Sequence, residues 1–263
     1  MKVISSGTLK GGTGKTMVVY NIAGILAEDH KVLMIDNDPQ CNLSDSAGID
    51  TANQDIRSVR DIYEDPRVDP RTLIVKGPVE KLPNLDIIPS HLRLTGTEMQ
   101  LVSRSGREQI LRRYIEDHMD VFGEYDYILN DTNPSMGIIN QNAFLAADAI
   151  ILVSDVSRKA VQGAQLFMYL WEENRANLRK EDNVKALIVN NYDQRINLSA
   201  QLKEYYEDDA EFADLLVSQP VPNRVKLKDT EMYYMPINAI HPKSEECEVF
   251  RKIVNELREK GVL

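Results

Sequence analysis

The sequence predicts an α/β fold: a mostly parallel, twisted β-sheet with helices on both faces, built as one domain over residues 1–263. Three observations predict it. Short apolar runs alternate along the chain with longer segments of helical periodicity. A glycine-rich loop lies between the first such run and the first such helix. The composition, 43% hydrophobic and 27% charged with 13 Gly and 11 Pro, is that of an ordinary globular chain. Strands separated by helices require right-handed crossovers, and these cover both faces of a parallel sheet.

The elements follow in order. "KVIS" (2–5) is a short strand, and "MVVYNIAGILAED" (17–29) carries Val18, Ile22, Ile25 and Leu26 at helical spacing. "KVLMID" (31–36) is a second strand that ends on carboxylates, Asp36 and then Asp38. Between 50 and 106, Pro66, Pro70, Pro78, Pro83 and Pro89 punctuate short apolar pieces such as "TLIV" and "LDII". "REQILRRYIEDHM" (107–119) is an amphipathic helix, "YDYILND" (125–131) a strand ending at Asp131, "INQNAFLAAD" a helix and "AIILVS" a buried strand. "KAVQGAQLFMYLWEE" and "VKALIVN" repeat the alternation.

Composition also excludes. No apolar run approaches the ~20 residues of a membrane helix, and "MKVISSG" lacks the parts of a signal peptide, so a cytoplasmic protein is expected. Cys41 and Cys247 have neither the number nor the spacing of a disulfide framework or zinc site, and read as ordinary thiols. Lys and Arg number 31 against 41 Asp and Glu, a net charge of -10, so any attraction to nucleic acid has to come from a local basic face.

The chemistry concentrates at "TLKGGTGKTM" (8–17). Gly11, Gly12 and Gly14 let the backbone turn tightly and aim several N–H groups at one point, to which the start of the following helix adds its positive end. That geometry binds phosphate. Lys15 would reach the terminal phosphates and Thr16 would offer its hydroxyl to Mg²⁺. The usual phosphate-loop pattern has a glycine six residues before this lysine, but here Leu9 stands there with a second lysine, Lys10, beside it.

"LKGGTGKT" resembles the deviant Walker A box of the ParA/MinD family of ATPases. The resemblance implies that Lys10 reaches across a two-fold interface to the nucleotide of a partner subunit, completing the site only in an ATP-dependent homodimer. It assigns nucleotide contacts to Lys10, Gly11, Gly12, Thr13, Gly14, Lys15, Thr16 and Met17. "VLMIDNDPQCNLS" (32–44) is similar to the family's Asp-x-Asp-Pro-Gln signature, which implies that Asp38 places the attacking water and Asp36 lies behind the metal. "YDYILNDTNPS" matches the Walker B strand, with Asp131 as a water-mediated Mg²⁺ partner. It departs from the pattern at Asn130, usually apolar, and at Asn133, usually proline. Strand alternation points Asn130 away from the phosphates if Asp131 faces them.

Further blocks resemble the family in the same order: "LDIIPSHLRLTGTEMQL", "FLAADAIILVSDVSRKAVQG", "NNYDQRINLS" and "VPNRVKLKDTEMYYMPI". By that match Asn190, Pro222 and Asn223 frame the adenine, and an amide suits that task because it donates and accepts at once. Basic residues for nonspecific DNA contacts are Arg195, Arg224, Lys226 and Lys228. "ECEVFRKIVNELREKGVL" has a helical apolar stripe but too many glutamates for a membrane anchor, and reads as a closing helix packed on the sheet. Cys41 and Cys247 lack the setting of a 4Fe-4S cluster. The expectation is therefore a short ParA-type partition ATPase using ATP and Mg²⁺, with a ParB-like centromere-binding adaptor, nucleoid DNA as its track and no membrane. The alternatives are a MinD-like or protein-cargo positioning ATPase and a nucleotide-gated regulator with little turnover.

Overall fold

In the computed structural model, which describes residues 1–53 and 55–263, six parallel strands form one sheet in the order β3-β2-β4-β1-β5-β6. These are β1 (Lys2–Gly7), β2 (Val32–Asn37), β3 (Leu85–Ile88), β4 (Tyr127–Thr132), β5 (Ala149–Asp155) and β6 (Val184–Asn190). The helices of the first half are α1 (Lys15–Leu26), α2 (Asn42–Ser46), α3 (Val59–Glu64), α4 (Leu94–Leu101), α5 (Ile110–Asp117) and α6 (Met119–Phe122). Those of the second half are α7 (Ile138–Ala146), α8 (Arg158–Asn177), α9 (Asn197–Asp208), α10 (Asp229–Tyr233), α11 (Ile237–Ile240) and α12 (Glu245–Glu259).

Strand alternation sorts neighbouring residues into opposite layers. Ile4, Met34, Leu129, Ile151 and Ile188 face α1 and α12, whereas Val3, Leu33 and Ile128 face a layer built from α3, α5 and α7. Ile150, Leu152 and Leu187 extend that second face to α8 and α9. Because both faces are covered, the strands read as continuous apolar runs rather than as alternating ones.

Each expected strand is present, and the differences are local. The amphipathic segment 107–119 breaks: α5 stops at Asp117, and His118 leaves helical backbone (φ −119°, ψ 38°) before α6 begins. "TLIV" forms no strand and contributes only an isolated antiparallel bridge from Val75 to Ile87. The last helix packs as expected: Phe250, Ile253, Val254 and Leu257 are each 0% exposed and join α1 in the core. Among the described residues no helix is long and apolar enough to cross a membrane.

Two close approaches shape the region beneath the site. Gly7 ends β1 with the Phe167 ring against its backbone, and a Cβ there would lie 2.8 Å from that ring. On α8, Phe167 and Trp171 (both buried) meet Phe144 edge to face at 5.2 and 5.4 Å.

Candidate nucleotide site

The register of the sheet assembles the site. β1 lies between β4 and β5, so the loop leaving Gly7 emerges between the strand ends that carry Asp131 and Asp155. Gly12 and Gly14 adopt left-handed backbone (φ 77° and 78°), and Gly14 caps α1. At Gly14 a side chain is doubly excluded, since an added Cβ would also fall 2.2 Å from Nδ2 of Asn190. A cavity of about 580 Å³ opens over this loop, and every residue from Lys10 to Met17 lines it. Asp38 and Thr132 close one side of it.

Inside, charge is paired. Lys15 is 6% exposed, and its Nζ donates to Oδ1 of Asp131 and to the carbonyl of Thr132. Thr16 Oγ1 donates to Oδ2 of the same carboxylate at 2.6 Å, and Ser6 Oγ to Oδ1 at 3.1 Å. A carboxylate with no exposed surface is tolerable only with such partners. Asn130 points to the opposite face, as alternation requires, where it bonds Ser5 Oγ (3.1 Å) and receives Asn37 Nδ2 (3.3 Å).

Lys10 behaves differently. Its Nζ donates to Asp155 Oδ2 and to Ser157 Oγ (3.0 Å), at the junction of β5 and α8. This pair is more open than the inner one, with side-chain exposures of 27% and 12% against 6% and 0%. Asp155 was not among the sequence candidates, although it ends a strand just as Asp131 does.

The two carboxylates after β2 divide their work. Asp38 faces the cavity, accepts from the Gln40 backbone at 2.8 Å, and has its pKa raised chiefly by burial. Asp36 does not line the cavity. It accepts from Ser44 N (2.9 Å), Ser44 Oγ (2.7 Å) and Asp38 N (3.0 Å), tying the loop 36–44 into a closed turn. Burial, and then the charge of neighbouring Asp131, pushes the Asp36 carboxyl up to about 7.

The predicted adenine residues are dispersed. Asn190 is 1% exposed beneath the loop and donates to the Thr13 carbonyl at 2.7 Å, so it supports the phosphate loop from behind. Pro222 lines a separate hollow of about 220 Å³ with Tyr192 and Arg224, and Asn223 N donates to Tyr192 O at 2.9 Å. Sequence reasoning missed the far wall of the main cavity, which Tyr20, Thr230, Glu231 and Tyr234 build. No local spacing flags Thr230, Glu231 or Tyr234, because α10 and its end arrive there from near the far end of the chain.

Of the predicted DNA contacts, Arg195 forms a two-point pair with Asp193 (2.9 and 2.7 Å), and Lys226 lies 3.8 Å from Glu246. Arg224 and Lys228 are exposed on the same stretch as Lys226.

Among the described residues no group of three or more His, Cys, Asp or Glu side chains converges. Mg²⁺ needs none: it keeps several waters and takes one or two protein oxygens with phosphate oxygens. The Thr16 hydroxyl beside Asp131 fits that description.

A parallel sheet with a glycine loop and a buried lysine at the head of α1 defines a phosphate-loop nucleotide-binding protein. A family model described as "AAA domain" matches residues 1–186. The sporulation initiation inhibitor protein Soj of Bacillus subtilis is 31% identical over 261 residues, 99% of either chain. The chain belongs to the ParA/MinD family and is an ATPase of that family. Two solved structures share the fold. A plasmid partition protein from Borrelia burgdorferi bound to AMPPNP has TM-score 0.78 and 22% identity, over 98% of each chain. Apo McdA of Cyanothece has TM-score 0.85 and 19% identity, over 98% of this chain and 99% of that one.

Proposed function

We propose that this chain is a DNA-partition ATPase of the ParA type, which closes as a homodimer around ATP and Mg²⁺, holds DNA nonspecifically in that state, and lets go when a ParB-like adaptor speeds hydrolysis. The observation that carries the reading is the division between the two lysines. Lys15 is committed to the chain's own phosphate cavity, whereas Lys10 stands at its rim on a partly open carboxylate, placed to change partners. Similarity along nearly the whole chain to chromosome partitioning proteins named ParA supports the same cellular class.

The residues have separable tasks. Gly11, Gly12, Thr13 and Gly14 present backbone N–H groups to phosphate, and Met17 continues the nucleotide-contacting wall of the cavity. Lys15 leaves Asp131 for phosphate oxygen, and Lys10 of the opposite copy neutralises charge developing on the transferred group. Thr16, with Asp131 through water and Asp36 behind it, would hold Mg²⁺, which when bound draws charge from the phosphate oxygens. Asp38 orients the attacking water. Asn190 fixes the loop at Thr13. Arg195, Arg224, Lys226 and Lys228 contact the DNA backbone.

Co-sedimentation separates this reading from a positioning ATPase that uses a membrane or protein scaffold. With a nonhydrolysable ATP analogue and Mg²⁺, the chain should pellet with random-sequence DNA at low salt, lose that affinity as salt rises, and ignore anionic liposomes. Binding to liposomes in place of DNA would overturn the partition reading.

A further inference from the structure

The loop after β4 carries Asn133 where the family resemblance leads one to expect proline, and a neighbouring side chain binds this loop at several points. Asn140, in the first turn of α7, is fully buried, and its Nδ2 reaches four oxygens of that loop. They are Asn133 O (2.8 Å), Asn133 Oδ1 (2.9 Å), Ser135 O (2.8 Å) and Ser135 Oγ (3.2 Å). The two amide hydrogens serve these acceptors in shared bonds. Ser135 completes the ring by donating from its hydroxyl to Asn133 Oδ1 and from its N–H to Asn133 O at 2.9 Å. Oδ1 of Asn140 has no hydrogen-bond partner. A buried amide kept in place with half its capacity unused is there for its donors.

The clasped segment borders the chemistry. Thr132 and Pro134 line the nucleotide cavity, and the Thr132 carbonyl receives Lys15. Neither Asn133 nor Asn140 reaches that cavity. Behind the loop, α7 is anchored: Ile139 and Ala143 sit in the core layer, and Asn142 accepts from Leu111 N of α5 at 3.1 Å. The loop is therefore pinned to a rigid helix.

We propose that Asn133 and Asn140 are positioning residues for ATP hydrolysis, a polar clasp that holds the loop carrying Thr132 and Pro134 and so takes over the stiffening role of a proline ring. Proline stiffens by fixing φ in the chain itself, and the clasp achieves the same end by tying two carbonyls and two side chains to one buried amide. The inference rests on the ATPase reaction and is independent of DNA, adaptor or membrane. Thr132 is extended, the backbone favoured before a proline, so the preceding residue is already arranged for the ring.

The test is steady-state phosphate release, with nucleotide affinity measured separately by a fluorescent ATP analogue. Asn140→Ala should lower kcat about tenfold while KM and the analogue's affinity stay within about twofold. Asn133→Pro added to Asn140→Ala should bring kcat back to within about threefold of the parent, a rescue that a purely structural role would not give. Unchanged kcat in Asn140→Ala, a loss confined to KM, or a double variant as slow as the single one each overturns the proposal. Should Asn140→Ala fail to fold, Asn133→Ala, on the partly exposed side of the clasp, is read the same way: a fall of about threefold in kcat supports the clasp, and none refutes it.

Discussion

The two lysines of one loop occupy opposite electrostatic situations. Lys15 and Asp131 form a pair almost wholly buried at the cavity floor, joined by Thr16, Ser6 and a backbone carbonyl, whereas Lys10 and Asp155 meet at the cavity rim with more solvent beside them. Removing one member of a sealed pair strands a buried charge, but removing one member of a rim pair costs little. The contrast teaches that Lys15 is built into the folded monomer and Lys10 is only parked on it. A cation that is to cross to another subunit has to be held loosely.

Three experiments press on that contrast. The largest effect belongs to Lys15→Ala, which leaves Asp131 without its countercharge. Urea unfolding should show a loss of about 3 kcal/mol, and ATP binding should disappear. An equal loss from Lys10→Ala would erase the distinction. Lys10→Ala is expected instead to cost less than about 1 kcal/mol in urea and to keep ATP binding by the monomer, yet to abolish the ATP-dependent dimer seen by light scattering. A Lys10→Ala chain that still dimerises with ATP and hydrolyses it would refute the shared-site scheme. The smallest effect is that of Asp155→Asn, which unparks Lys10. Dimerisation should then need about four- to twenty-fivefold less protein, read from the same scattering titration, because each dimer releases two such interactions, each worth under about 1 kcal/mol.

The order of strands and helices was legible because each strand is a short apolar run buried on both faces, set between longer segments of helical length and spacing. What escaped was decided by tertiary packing. The helix expected over 107–119 breaks at His118, whose Nδ1 lies 2.9 Å from the carbonyl of Tyr114, and nothing in its periodicity announces the break. "TLIV" has strand composition, but only Val75 finds a partner.

At the site, the phosphate loop could be read directly, since Gly12 and Gly14 need their positive φ and Lys15 heads a helix. Asn190 was legible as a residue near the loop, but its direction was not: only the close approach of Gly14 shows that its amide serves the loop backbone. Asp155 could have been found because, like Asp131, it ends an apolar strand run at the edge where a parallel sheet binds its ligand. Tyr234 and Asn140 could not, because each owes its place to a segment distant in sequence or to a side-chain network without a spacing signature.

The chain holds one tryptophan, and it is Trp171, 1% exposed, hydrogen-bonded through Nε1 to Asn183 at 2.9 Å and set edge-on against Phe144. Its emission comes from a single, water-shielded indole on the helix whose N-cap, Ser157, bonds Lys10. Intrinsic fluorescence therefore offers a label-free optical record of how this side of the molecule repacks. A stopped-flow trace taken on adding nucleotide can be assigned to one residue without engineering a dye.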